Sequence, residues 1–199
     1  MTTLTAAEVN ALFDEHQAKF PQLSEKISLL KTYYSTKMWH QLTGVLLEYV
    51  HDTAFDSSGD GNELLNMYNK LILKMNYKLD PLKYSRITIA CSRQFESLED
   101  AIKFLEEAKD RVKNKMDATK MLEIAQADKK LALGKHHDCF EQLNLIRQEL
   151  EQLSDVDAKV WASLAQVYAL YFKRKDDHEN YYKSCLQYLA YTPSKDMSA

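Results

Sequence analysis

The residues best spaced to do chemistry lie in FDSSGDGNE, positions 55–63. Asp56, Ser58 and Asp60 alternate and Gly61 stands sixth, which is how a helix–loop–helix calcium loop opens. Such a loop also needs an oxygen ligand near its ninth position and a bidentate Glu at its twelfth. Counted from Asp56 those positions hold Leu64 and Met67. A neutral, soft thioether does not replace a carboxylate, and Asp56 and Asp60 alone are too few for tight binding. The same letters describe a hinge. Gly59 and Gly61 permit left-handed backbone, Asp and Ser bond locally to turns, and Asn62 is placed to cap a helix starting near Glu63.

HHDC, residues 136–139, offers zinc-type ligands in a row. Neighbours on a helix point about 100° apart, so His136, His137, Asp138 and Cys139 do not converge on one ion. Cys139 instead opens an apolar stripe and reads as a core thiol. A Cys–His nucleophile pair has no local support. The chain also lacks a phosphate-cradling glycine loop, G-x-S-x-G and H-E-x-x-H. Glu106, Glu107, Asp110 and Arg111 look like surface salt-bridge patterning rather than an acid–base pair. No catalytic residue, metal ligand or cofactor is therefore expected.

Tyrosine is the more suggestive residue. Of twelve, Tyr168, Tyr171, Tyr181, Tyr182, Tyr188 and Tyr191 crowd the last two helices. Their helical spacing reads as packing between helices. The alternative is an exposed aromatic surface for a protein partner, carried by Tyr181, Tyr182, Tyr188 and Tyr191, since Tyr and Trp are enriched in interfaces.

The elements that must position these residues are helical. The 199 residues are 45% hydrophobic, enough for a real core, with only four Gly and three Pro. Chains rich in strands and turns use more of both. A net charge of −3 argues against nucleic acid, and the short runs KRK (173–175) and KDRVKNK (109–115) fall near helix ends, where cations offset the dipole. No apolar run approaches membrane-spanning length, and the N-terminus does not resemble a secretory signal. Three scattered cysteines suit a reducing, intracellular setting.

Helix punctuation is plain. Thr5 and Glu8 form a capping box, and Pro21 stops the first helix near Phe20. Further helices are expected over about 24–35, 37–50 and 62–77. Asp80–Pro81 starts the next, which ends near Gln94. Ser97 and Asp100 resemble a second capping box, Asp117 is placed to cap the following helix, and Gly134 ends it in a left-handed conformation. Three more helices follow, the last ended by Pro193. Pairs open near residues 81, 117 and 156, a period of about 36–39 residues, which matches helical-hairpin repeats. The expected fold is all-α: a right-handed superhelical stack of hairpins, a TPR-like α-solenoid of about ten helices. The expected organisation is N-terminal helices and a glycine-rich loop over 1–61, a hairpin array over 62–191 and a polar tail over 192–199.

YYSTKMWHQLTGVLLEYVHDTAF (33–55), LEDAIKFLEEAKDRVK (98–113) and NYYKSCLQYLAY (180–191) resemble the PCI-family non-ATPase subunits of the 26S proteasome regulatory-particle lid. The resemblance spans about Tyr33 to Tyr191. It implies a non-catalytic helical arm for protein–protein contacts in ubiquitin-dependent degradation. It also implies partners among other PCI-type lid subunits in a hetero-oligomer, without nucleic acid or membrane, and a cytoplasmic and nuclear location. The winged-helix module through which such subunits pair is not among these residues. The runner-up is a TPR-like adaptor that binds a peptide or another PCI-type complex.

Overall fold

The computed structural model describes residues 6–55 and 62–192. Thr5, most of the glycine-rich loop (56–61) and Pro193 lie outside them. Among the described residues the chain is all-α with no strand. It divides into two compact units, Met1–Glu96 and Ser97–Ala199. The glycine-rich loop is therefore internal to the first unit, and residues 62–96 pack with the N-terminal helices.

The first unit holds α1 (Ala6–Lys19), α2 (Ser24–Ser35), α3 (Trp39–Val50), α4 and α5 (Pro81–Cys91). The α4 segment runs through Glu63–Met67, Tyr68–Ile72 and Leu73–Met75, and its central part is a π-helical turn. Its core takes Val9 and Phe13 from α1, Ile27 and Leu30 from α2, Leu42, Leu46 and Tyr49 from α3, and Ile87 from α5. Phe55 closes one end of this core, with its ring 4.8 Å from Phe20 and 5.0 Å from Tyr49. Burial of each such side chain is worth about 1.5–3 kcal/mol, which is why a 3–4 spacing dictates the packing face.

The expected boundaries hold with specific departures. Asp80 caps α5 as read, its Oδ1 accepting from the Lys83 N–H at 2.9 Å ahead of Pro81. Helix α3 begins at Trp39, not Lys37, because Lys37 has a φ of 58° and a left-handed residue breaks the α run. The π turn in α4 was not expected. It buries Tyr68, Leu71 and Ile72 together, and sets the Tyr68 hydroxyl 2.6 Å from that of Tyr84. Asn62 precedes α4 but its side chain does not cap it. The Leu64 N–H donates instead to Gln94 Oε1, 30 positions later, at 2.9 Å.

The second unit is built from α6 (Leu98–Val112), α7 (Met116–Ala132), α8 (His136–Glu151), α9 (Ala158–Arg174) and α10 (His178–Tyr191). Connections of three to six residues make successive helices antiparallel. Gly134 takes φ 79° at the end of α7, as its position predicts, and Ser97 caps α6 by accepting from the Asp100 N–H. Asp117 does not cap α7, whose N-cap is Lys115. It lies in the first turn, and its Oδ2 accepts from the backbone N–H of Asp157 at 3.4 Å. That bond joins the starts of two helices one repeat apart. α7 packs on α6, α8 and α9, and α9 packs on α10, the arrangement of stacked helical hairpins.

Candidate functional site

The sulfur and imidazole groups that invite chemistry are structural. Cys139 is buried and burial pushes its thiol up to about 11. Cys91 is buried and pushed up to about 12 by the same cause. A thiol so raised is not a nucleophile at neutral pH. His137 is exposed and faces Glu141 at 3.4 Å, while the His136 ring lies against Tyr171 with centroids 6.5 Å apart. The HHDC run thus splits between two directions. No cluster of three His, Cys, Asp or Glu that could hold a metal occurs among the described residues. The calcium-like positions 56–61 fall outside them.

Polar side chains between helices in the second unit spend their valences on one another. Lys120 is 6% exposed and donates to Glu123 Oε2 at 2.7 Å and to Glu149. Burial alone would lower its pKa, but the two carboxylates outweigh that and hold it above the ordinary value. Gln126 donates to Glu106 at 2.7 Å, Lys130 to Gln142 at 2.7 Å, and Gln142 to the Glu123 carbonyl at 2.9 Å. α6, α7 and α8 are thereby linked in one register.

The best candidate for contact with another molecule is α10. Asp177 caps it, accepting from the Asn180 N–H at 3.1 Å, and the preceding turn is set by Asp176 at φ 55°. The four tyrosines expected to form a partner surface do not share one face. Tyr181 and Tyr188 are half-buried in line with buried Ser184, on the side packed against α9. Tyr191 continues that line and stacks on Trp161 of α9, with centroids 6.0 Å apart and rings 21° from parallel. Tyr182 faces outward at 65% exposure, and Leu186 (48%) and Leu189 (50%) follow on the same side at spacings of four and three. The signal for this second stripe was present as Tyr182-x3-Leu186-x2-Leu189, masked by the tyrosines of the packing face. A groove of about 220 Å³ opens beside Trp161 and Tyr191, lined also by Arg147, Glu151, Tyr168 and Gln187.

Below that groove, α8 and α9 are locked by aromatic packing. Phe140 stacks on Tyr171 with centroids 4.9 Å apart, and the Tyr168 hydroxyl donates to Asn144 Oδ1 at 2.8 Å. Burial pushes the Tyr168 phenol up to about 12. At the far end, Arg174 of α9 donates to the Leu131 carbonyl near the C-terminus of α7, where a cation also meets the negative end of the helix dipole. The arrangement carries an exposed apolar stripe, Tyr182, Leu186 and Leu189, beside the exposed Glu179–Lys183 ion pair.

Residues 26–199 match the family of PSD13 N-terminal repeats. The chain is 31% identical over 187 residues to 26S proteasome non-ATPase regulatory subunit 13 homolog A of Arabidopsis thaliana, covering 89% of this chain and 47% of that protein. It is 31% identical over 188 residues to 26S proteasome non-ATPase regulatory subunit 13 of Dictyostelium discoideum, covering 92% and 48%. It is 24% identical over 199 residues to the probable 26S proteasome regulatory subunit rpn9 of Schizosaccharomyces pombe, covering 96% and 49%. The chain thus spans about half the length of the curated relatives it matches. The resemblance read from residues 33–55, 98–113 and 180–191 is borne out over most of the sequence, and the chain belongs to the PSD13 N-terminal-repeat family of proteasome regulatory-particle lid subunits.

Proposed function

We propose that this chain is a non-catalytic scaffold arm of the 26S proteasome regulatory-particle lid, which holds neighbouring PCI-type subunits in place during ubiquitin-dependent degradation. The observation that carries the reading is the match of residues 26–199 to the PSD13 N-terminal repeats, on a chain whose second unit is stacked hairpins ending in a helix with an exposed apolar stripe. The names of the relatives, non-ATPase regulatory subunits, support a non-catalytic role. The work is geometric: rigid helices fix where other proteins sit, and no bond is made or broken. The setting is cytoplasmic and nuclear, in a hetero-oligomer, without nucleic acid or membrane.

The polar network argues against the runner-up. A peptide-holding repeat presents free Lys, Arg or Asn side chains to its ligand, whereas Lys120, Gln126, Lys130 and Gln142 are engaged within the second unit. The test is recovery of tagged protein from cells and identification of its stoichiometric companions. Co-recovery of other lid subunits is the expected result. Recovery of the chain alone, or with one peptide-bearing client and no lid subunit, overturns the reading.

A further inference from the structure

The first unit carries a surface cluster that the scaffold reading does not use. The turn between α2 and α3 is pinned by the Met38 N–H donating to the Tyr33 carbonyl at 2.9 Å, with Lys37 held at φ 58°. A non-glycine residue there stores strain that the surrounding structure sustains. The turn presents Met38 at 39% exposure beside half-buried Trp39, whose ring meets Tyr34 edge-on at 5.8 Å. From the 3-10 turn Asn76–Lys78 that follows α4, the Lys78 ammonium sits 4.3 Å from the Trp39 ring centroid and 5.3 Å from that of Tyr77. Tyr77 is 71% exposed.

The lysines here differ from others of the unit in being free of ion pairs among the described residues. Lys19, Lys26 and Lys31 of the same unit each reach a carboxylate at 2.6 Å. Among the described residues, Lys37, Lys78 and Lys74, which lies about one turn before Lys78, are exposed and have no carboxylate in ion-pair range. Trp, Tyr and Met are the residues enriched at interfaces, and an ammonium fixed over an indole face keeps N–H donors for an incoming acceptor.

We propose that this cluster docks an acidic segment of a partner polypeptide. An apolar or aromatic side chain of that segment lies against Met38, Trp39 and Tyr77, and its carboxylates meet Lys37, Lys74 and Lys78. A cationic ligand is disfavoured because Lys78 already occupies the ring face. A second copy is disfavoured because a two-fold contact would set these lysines against their own counterparts. A nucleic acid needs a longer basic track than three lysines on a chain of net charge −3. The inference stands on the first unit alone, so it survives or fails separately from the scaffold reading.

The experiment uses the full 199-residue chain carrying Trp161→Phe, which leaves Trp39 as the one indole of the two. The probe is a short Glu-rich peptide with a central Phe, compared with its Lys-rich counterpart and with oligothymidylate. A saturable change in Trp39 emission with the Glu-rich peptide is expected, weakened by salt and by about tenfold in the exposed-site variant Lys37→Glu/Lys78→Glu. A thermal melt checks that this variant is folded. No saturable change, an equal response to the Lys-rich peptide, tighter binding of oligothymidylate, or self-association through this patch in sedimentation overturns the proposal.

Discussion

The His16 imidazole and the Tyr49 hydroxyl, 33 positions apart, meet at 2.9 Å in the core of the first unit. Both side chains are fully buried, and they tie α1 to α3. The other ring nitrogen, Nε2, lies 3.9 Å from Glu63 Oε2, and neither atom has a hydrogen-bond partner. The pair is thus half of a polar network set in an apolar core, where an unmade bond is costly.

This arrangement predicts a pH-dependent stability. Burial holds the His16 imidazole below its ordinary 6.5, although Glu63 and Glu15 pull it the other way. Because the folded-state value is the lower one, the unfolded chain takes up the proton first as pH falls. The stability owed to neutral His16 is complete above about 6.5 and is lost as the pH drops through that value toward the lower folded one. Urea denaturation at neutral and mildly acidic pH should show lower stability at the acidic end, and His16→Gln should flatten that slope. Tyr49→Phe, which strands the ring nitrogen, should cost about 1–2 kcal/mol at neutral pH. An unchanged slope in His16→Gln would remove His16 as the cause.

Gln94 carries the second prediction. Its Oε1 satisfies the Leu64 N–H at the start of α4, the role that the sequence assigned to Asn62. Gln94→Ala should therefore destabilise the first unit by about 1 kcal/mol, the usual worth of a helix cap, while Asn62→Ala should change little. The two midpoints in urea decide it, and the reverse ranking would restore Asn62.

The contrast between those residues shows what was legible. Asp80–Pro81, Ser97 and Gly134 act within a few residues of themselves, and each marks the boundary its type predicts. The helix pairs opening near residues 117 and 156 were readable for the same reason, since their period repeats a local pattern. The pair expected to open at 81 is not a hairpin: α5 belongs to the first unit, where it packs on α3, and α6 to the second. Gln94 acts 30 positions away and Asp117 reaches Asp157 across 40, and nothing local reports such bonds. The left-handed Lys37 and the π turn at Tyr68–Ile72 were hidden because the surrounding packing overrides local propensity there. On α10, tyrosine content alone mixed the helix's two faces. Tyr181, Tyr188 and Tyr191 face α9, and the outward stripe is completed by leucines.

Lys120 supplies a third prediction. Its buried ammonium joins Glu123 of its own helix to Glu149 of α8. Lys120→Ala removes that link and the packing of the aliphatic stem. Glu149 is partly exposed, which screens the ion pair, so a loss of about 2–3 kcal/mol is expected rather than the full cost of an unpaired buried charge. Lys120→Met keeps the stem and should recover about half, because Glu123 retains Lys109 at 3.6 Å. Thermal melts of the two variants separate charge from packing, and equal losses would assign the whole effect to the charge.

The outward stripe of α10 should be separable from the stability of the chain. Tyr182, Leu186 and Leu189 are about half exposed or more, so replacing them removes little buried area. Leu186→Glu with Leu189→Lys should leave the melting midpoint nearly unchanged, within about 0.5 kcal/mol for each site. Trp161→Ala breaks the stack on Tyr191 that seats α10 on α9, and should lower stability by about 2 kcal/mol, short of the cost of a fully buried indole. If the stripe is a contact surface of the arm, the double variant recovers fewer lid subunits from cells while its fold is intact, since a charge buried against an apolar partner is heavily penalised. Recovery of lid subunits at the level of the unaltered chain, from a double variant with an unaltered melt, would show that α10 faces water in the assembly and that the arm makes its contacts elsewhere.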